Sequence, residues 1–389
     1  MFVADDPAFI ADPYPVFADL RSKGEVHWHE GLGQFIAVSH AAAGAVLRHR
    51  SLGRIWTDAT PVEQFASFNL LHRNSLLENE PPAHTRLRKR VSSAFARGHV
   101  QRLRPTVEAL AARLVGTLAD EIAAHGEADL LDHVAQPLPV AVIAELLGVP
   151  EDMGPRLVGW SNQIVKMYEY GLPEGRRREA EGAAEAFAGY LRELAGERAR
   201  RPGDDLLSHL VAAELTGDEV VATGVLLLMA GHEATVNVIG NGTTALLTHR
   251  EQWERLVTDP GLVESATEEL IRFDSPLQLF ERTATADVEI AGQRVAKGQK
   301  IAALLGAAAR DPEVFTAPDT FDIGRSPNPH LGFGAGIHYC LGAPLARIEI
   351  AAALAALRER LPGLRLAREP ERRPEFVIRG LRTLPVTTG

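Results

Sequence analysis

The chain has one cysteine, Cys340, and its surroundings are suited to a metal-bound thiolate. It follows Phe333-Gly334-Ala335-Gly336-Ile337-His338-Tyr339 and precedes Leu341-Gly342 and an Ala/Leu-rich run with helical spacing. A helix N-terminus carries partial positive charge, which favours ionised sulfur over the thiol. Gly334 and Gly336 permit backbone conformations closed to other residues and let N–H groups aim at the sulfur. Gly342 removes a side chain where a flat ligand would lie close. Zinc fits poorly, because neither a second cysteine nor a histidine pair at ligand spacing accompanies Cys340. A haem iron needs one strong axial ligand from the protein, and thiolate is one of those known.

Three other groups of residues carry chemical potential. Glu233 stands in the apolar run Leu226-Leu227-Leu228-Met229-Ala230-Gly231-His232-Glu233-Ala234-Thr235. An acid there is costly unless it is hydrogen-bonded, protonated or functional, although a solvent-facing glutamate remains the plain alternative. Glu269 and Arg272 lie three apart on one helix face, as ordinary surface ion pairs also do. His84 and Arg88 lie four apart, one above the other, and arginine offers a planar fork suited to a carboxylate. Alone, His84 would read as a helix-terminal histidine.

Taken together, these residues resemble the cytochrome P450 family. Phe333, Gly336, His338, Cys340 and Gly342 match its Phe-x-x-Gly-x-His-x-Cys-x-Gly haem-binding loop, and the likeness extends from residues 12–15 to 381–386. The resemblance implies a mainly α fold with a small β region, one domain over 1–389. Haem b would lie between a long distal helix and the helix that follows the cysteine. Cys340 would be the iron ligand. His84, Arg88, Arg282 and His338 would bind the propionates, with Phe333, Gly334 and Gly231 beside the ring. Glu269, Arg272 and Arg325 (the last in 321–325) match the family's buried ion triad, a structural role. The activity implied is insertion of one oxygen atom from dioxygen into a small molecule, with electrons from a ferredoxin and its reductase. Lys89, Arg90, Arg97, Arg102, Arg104 and Arg347 are candidates for docking that acidic donor. The resemblance places a mostly apolar substrate wall at 56–79, 162–172, 277–280 and 378–381, with Arg73, Gln278 and Arg379 as polar anchors.

One position departs from the family pattern. Ala230 and Gly231 match its small pair and Glu233 its acid, but Ala234 stands where threonine is usual, and Thr235 follows. That threonine helps deliver a second proton to dioxygen, and alanine cannot. Thr235 is about 100° further round the helix. A substrate hydroxyl or ordered water, a local helix distortion, or the use of peroxide instead of dioxygen would each answer the gap. The first is preferred, because the retained Glu233 then has a group to which it delivers protons. A peroxygenase, a non-catalytic haem protein and a hydrolase using Cys340 with His338 are the competing classes; the full set of distal-site and propionate motifs argues against the second, and the third leaves those motifs unexplained.

The remaining sequence supports this setting. A formal charge of -10 argues against nucleic acid as a partner. One cysteine excludes an internal disulfide and is compatible with a reducing cytoplasm. No signal-like start is visible, and no uncharged apolar run of membrane-spanning length. Helical spacing covers 107–125, 177–199, 217–249 and 345–361, while strands are expected at 34–39, 288–290, 293–295 and 300–304. The stretches 57–79, 168–174 and 312–331 read as irregular surface.

Overall fold

The computed structural model describes residues 1–389, apart from the side chain of Arg97, so the docking role expected of that arginine lies outside what is described. The chain forms two compact units. One comprises Met1–Gly53, Leu103–Leu138 and Ala234–Gly389, the other Arg54–Arg102 and Pro139–Glu233.

The first unit is organised by a five-stranded sheet in the order Val26–His29, Gln34–Ala37, Lys300–Leu304, Leu279–Ala284 and Leu52–Gly53. Its pairs are antiparallel except the second, where Phe35 faces Ile301 in parallel register. Phe35, Ala37, Ile301 and Ala303 bury one face against Val46 and Leu47, and the same cluster takes in Leu331 and Ala335 of the cysteine loop. Each fully buried Ile or Leu contributes about 1.5–3 kcal/mol, so the sheet anchors that loop by its apolar residues.

Two ionic networks tie distant segments together within this unit. Arg272 grips Glu269 through two 2.7 Å bonds, and Arg325 adds a third contact at 3.2 Å; Glu269 and Arg272 are fully buried. Asp274 accepts from Tyr14 at 2.7 Å and from Arg379 at 2.6 Å, with Arg372 at 3.0 Å. Burial alone would raise the Asp274 carboxyl, but Arg379, Arg372 and the Tyr14 hydroxyl outweigh it and hold it well below the usual carboxylate range.

The second unit packs the helix Glu174–Arg200 against Gly154–Ile164 and Ala66–Arg73. The last of these falls in a stretch read as irregular. Its N-cap position is Phe65, which makes no side-chain cap bond; the cap comes instead from Glu181, which accepts from Ser67 and Phe68 N–H. A stabilising partner 114 positions away leaves no local signal in the sequence. The helix Arg97–His125 begins ten residues before its expected start because it carries Pro105 in its interior, where a boundary would be read.

The helix Gly217–Thr248 runs unbroken for 32 residues, one shorter than expected. It is long and apolar enough to cross a membrane, yet its apolar window is 78 % buried inside the protein. That burial accounts for its composition as a core helix.

Candidate functional site

Within the first unit the cysteine loop is closed by its own backbone. Cys340 N–H donates to Phe333 C=O at 2.9 Å, Gly334 N–H to Leu331 C=O at 2.8 Å, and Tyr339 N–H to Gly336 C=O at 3.1 Å. Gly334 and Gly336 have φ of 69° and 73°, the left-handed region expected of them. At Gly336 a Cβ would meet Leu47 C=O at 2.5 Å, so glycine is also required for the loop to seat on the helix His40–Arg48. Cys340 itself is half-buried, two residues ahead of Gly342, the N-cap of the helix Ala343–Arg360. A Cβ on Gly342 would meet no atom within 4 Å, which leaves open space at that position, two residues after the cysteine.

Arg282 is buried in the strand Leu279–Ala284. Phe280, two positions earlier and on the same strand face, lies 3.4 Å from where a Gly334 Cβ would be. Arg282 therefore projects from the face that meets the cysteine loop. His338 sits in the short 3-10 turn Gly336–His338 just before the thiol. Phe333 carries the Arg347 guanidinium over its ring at 4.5 Å.

That arginine belongs to a network absent from the motif reading. Arg347 donates to Glu268 at 2.6 and 2.9 Å, and His330 shares the same carboxylate at 3.0 Å while its Nδ1 accepts from Gly332 N–H. Burial would raise Glu268, but the hydrogen bonds from Arg347 and His330 prevail and hold it at about 2. His330 thus caps Gly332 N–H and packs beside the loop, and Arg347 braces it. The signal available was the adjacent pair Glu268-Glu269: neighbouring helical positions point about 100° apart and so serve two different networks.

In the second unit His84 and Arg88 share one face of the helix Ala83–Val91, His84 buried and Arg88 half-buried. Gly231 lies so close to Ile143 that a Cβ would stand 2.6 Å from it. Glu233 is buried, with His232 Nε2 3.7 Å from its Oε1, and His232 Nδ1 is bonded to Leu228 C=O at 2.7 Å. Ala234 and Thr235 belong to the first unit.

The long helix has one open stripe. Between Val220 and Leu247 every residue is buried except Leu226, Ala230, Gly231, Ala234 and Thr244. The first four recur at i, i+4, i+5 and i+8, one helix face. Ala234 lies on that stripe; Glu233 and Thr235 are buried off it. No 3-10 or π turn interrupts the helix at 229–236, so the distortion considered for bringing Thr235 round is not present.

The polar anchors expected of the substrate wall are each engaged by protein groups. Arg379 binds Asp274 and the carbonyls of Ile10 and Ala11, Arg73 binds Asp58 at 2.7 Å, and Gln278 donates to Ser275 C=O at 2.6 Å.

Among the described residues no three His, Cys, Asp or Glu side chains gather to hold a metal ion. A half-buried cysteine on a glycine loop, open space at nearby Gly342 and buried Arg282 on the adjoining strand face fit a metal that brings its own ring of donors and an anionic edge. The site is thus of the haem–thiolate class. The cytochrome P450 family profile matches residues 39–361. The chain is 38% identical over 391 residues to cytochrome P450 monooxygenase PikC of Streptomyces venezuelae, covering 97% of this chain and 91% of that protein. It is 35% identical to the polyketide biosynthesis cytochrome P450 PksS of Bacillus subtilis, over 100% of this chain and 98% of that one. The solved structure of P450BioI with an acyl carrier protein ligated to hexadec-9Z-enoic acid superposes with a TM-score of 0.93 at 33% identity, covering 98% of this chain and 100% of that one. The chain belongs to the cytochrome P450 family. It is a monooxygenase of the bacterial secondary-metabolism type, a haem enzyme acting with dioxygen on small molecules.

Proposed function

We propose that this enzyme hydroxylates a mid-sized, mainly apolar natural product that carries a hydroxyl of its own. Cys340 holds haem b by its iron. His84, Arg88, Arg282 and His338 pair its propionates, and Phe333, Gly334 and Gly231 lie beside the ring. Bound haem supplies the activation of dioxygen and the oxidising power, with the thiolate enriching the iron in electron density. Glu233 holds the proton to be delivered. A hydroxyl of the substrate, or a water it orders, takes the place at Ala234 that a threonine would fill. The observation that carries this reading is the open stripe: Ala234 has accessible surface, whereas Thr235 is buried off the stripe of an undistorted helix. The relative named for polyketide biosynthesis supports the substrate class.

Electrons come from a ferredoxin and its reductase in the cytoplasm. Lys89, Arg90, Arg102 and Arg104 supply the positive surface, with Arg90 also paired to Glu214 at 3.0 Å and Arg104 to Glu108 at 3.5 Å. The alternative of a peroxide-driven peroxygenase draws on the same Ala234, and turnover with hydrogen peroxide but none with ferredoxin would select it.

Ala234→Thr tests the relay. The new side chain would occupy the space the substrate hydroxyl needs, so the fraction of reducing equivalents recovered as product should fall and released peroxide should rise. A gain in coupling would overturn substrate-assisted delivery.

A further inference from the structure

The open stripe of the long helix ends after Ala234, and two asparagines mark the place. Asn237 and Asn241 follow Ala234 at i+3 and i+7 on the same helix face, yet both are buried. The backbone of Arg379 and Gly380 lies over them. Asn241 Nδ2 donates to Arg379 C=O at 3.1 Å and to Asp274 C=O at 3.3 Å. A Cβ on Gly380 would collide with Asn237 Oδ1, so glycine is what lets the chain lie against that amide. All of these residues belong to the first unit.

The two carbonyls that Asn241 holds belong to stretches of chain that are already joined. Arg379 N–H donates to Pro276 C=O at 2.7 Å and Gln278 N–H to Val377 C=O at 3.0 Å, while Leu277 faces Ile378 in an antiparallel bridge. The Arg379 guanidinium adds its bonds to Asp274, Ile10 and Ala11. Residues 274–278 and 377–380 therefore form one paired segment, and Asn241 fastens both halves of it to the helix. A buried carbonyl deprived of its donor is costly, so this amide fixes where the pair rests. The polar side chains of the pair, Arg379 and Gln278, are already bonded to protein groups, whereas its bridged residues Leu277 and Ile378 are apolar.

We propose that Asn241 and Asn237 are positioning residues that register this paired segment against the helix, so that Leu277 and Ile378 meet the hydrocarbon part of a ligand at a fixed distance from Ala234. This rests on the proposed function, which puts a substrate hydroxyl at Ala234 and the substrate wall at 277–280 and 378–381. The two chemistries of the substrate are then read along one helix face, the hydroxyl at Ala234 and the apolar skeleton one to two turns further on. Asn241→Ala removes both N–H donors and releases the pair from the helix. Gly380→Ala keeps every donor but forces the chain away from Asn237.

The test uses ferric holoprotein, with the Soret band and melting temperature as checks of folding. Amide hydrogen exchange is followed over 276–279 and 377–380, and Kd is titrated optically for imidazole and for the much larger azole econazole. In both variants exchange should quicken and econazole should bind about fivefold more weakly, with imidazole unchanged. Unaltered exchange in both would overturn registration by the asparagines. Faster exchange with unaltered econazole binding would overturn the role in placing ligands, as would equal weakening of both azoles, which marks general loosening. If neither azole binds iron in the parent protein, the haem–thiolate reading fails, while exchange still decides the registration. Should Asn241→Ala not retain haem, Gly380→Ala carries the same measurements.

Discussion

Glu269→Gln is the substitution whose cost the structure defines best. The carboxylate is fully buried and accepts two bonds from Arg272, one from Arg325, one from Asp322 N–H at 3.0 Å and one from Asn328 at 3.1 Å. Arg272 is held in turn by the carbonyls of Ala309 and Pro318 at 2.8 Å and Thr320 at 3.2 Å, and Arg325 by those of Thr316, Ala317 and Thr320. A glutamine preserves shape but leaves two guanidinium charges without their counterion, and aims an N–H₂ group at donors. Breaking a buried pair in this way costs about 3–5 kcal/mol, a large share of a total near 5–15 kcal/mol. For a chain this long the unfolding entropy is about 0.8 kcal/mol per degree, so the melting temperature should fall by roughly 4–6 °C. Loss of the Soret band on heating reads this directly, and the segment 316–328, which the two arginines pin ahead of the cysteine loop, should exchange amide hydrogens faster. A shift under about 1 °C would show that the network does not carry the load assigned to it.

Cys340→Ser should abolish the thiolate–haem spectrum whatever the substrate; an unchanged spectrum would exclude Cys340 as the ligand. Glu268 is held at about 2 against 4.5, so its stabilisation is fully present above pH 4.5 and is lost as pH falls toward 2. With discount for partial exposure, Glu268→Gln should cost about 1–2 kcal/mol at pH 7, a gap that narrows between pH 4.5 and 2 in melting curves. Glu349 is buried in the helix after Cys340 with its carboxyl pushed well above the usual range by burial, and its Oε1 has no hydrogen-bond partner among the described residues. A raised carboxyl is best tolerated below pH 4.5 and penalises the fold as pH rises, so Glu349→Gln should stabilise by on the order of 1 kcal/mol at pH 7. A destabilised variant at pH 7 would show that the carboxylate has a partner.

Much of the site was legible because its chemistry is written in short spacings. Phe333 to Gly342 forms one closed loop, His84 and Arg88 share one helix turn, and Glu269 and Arg272 pair three apart; each relation depends on local backbone geometry that residue types declare. The length and burial of the central helix, and the displacement of threonine from 234 to 235, could likewise be read along the chain.

Tertiary structure decided what depends on contacts between segments far apart in sequence. Arg347 reaches Glu268 across 79 positions, and Arg325 reaches Glu269 across 56, a contact that the family resemblance implied but local spacing could not. Arg379, read as a substrate anchor, is bound instead to the N-terminal carbonyls of Ile10 and Ala11. The helix Ala66–Arg73 forms in a stretch with no cap of its own because Glu181 supplies one. Local spacing specifies which residues share a face, since the backbone period is built into every helix and strand. Which partner that face meets depends on the packing of the whole chain, so the identity of the chemistry was present in the sequence while the bracing of the site emerged only on folding.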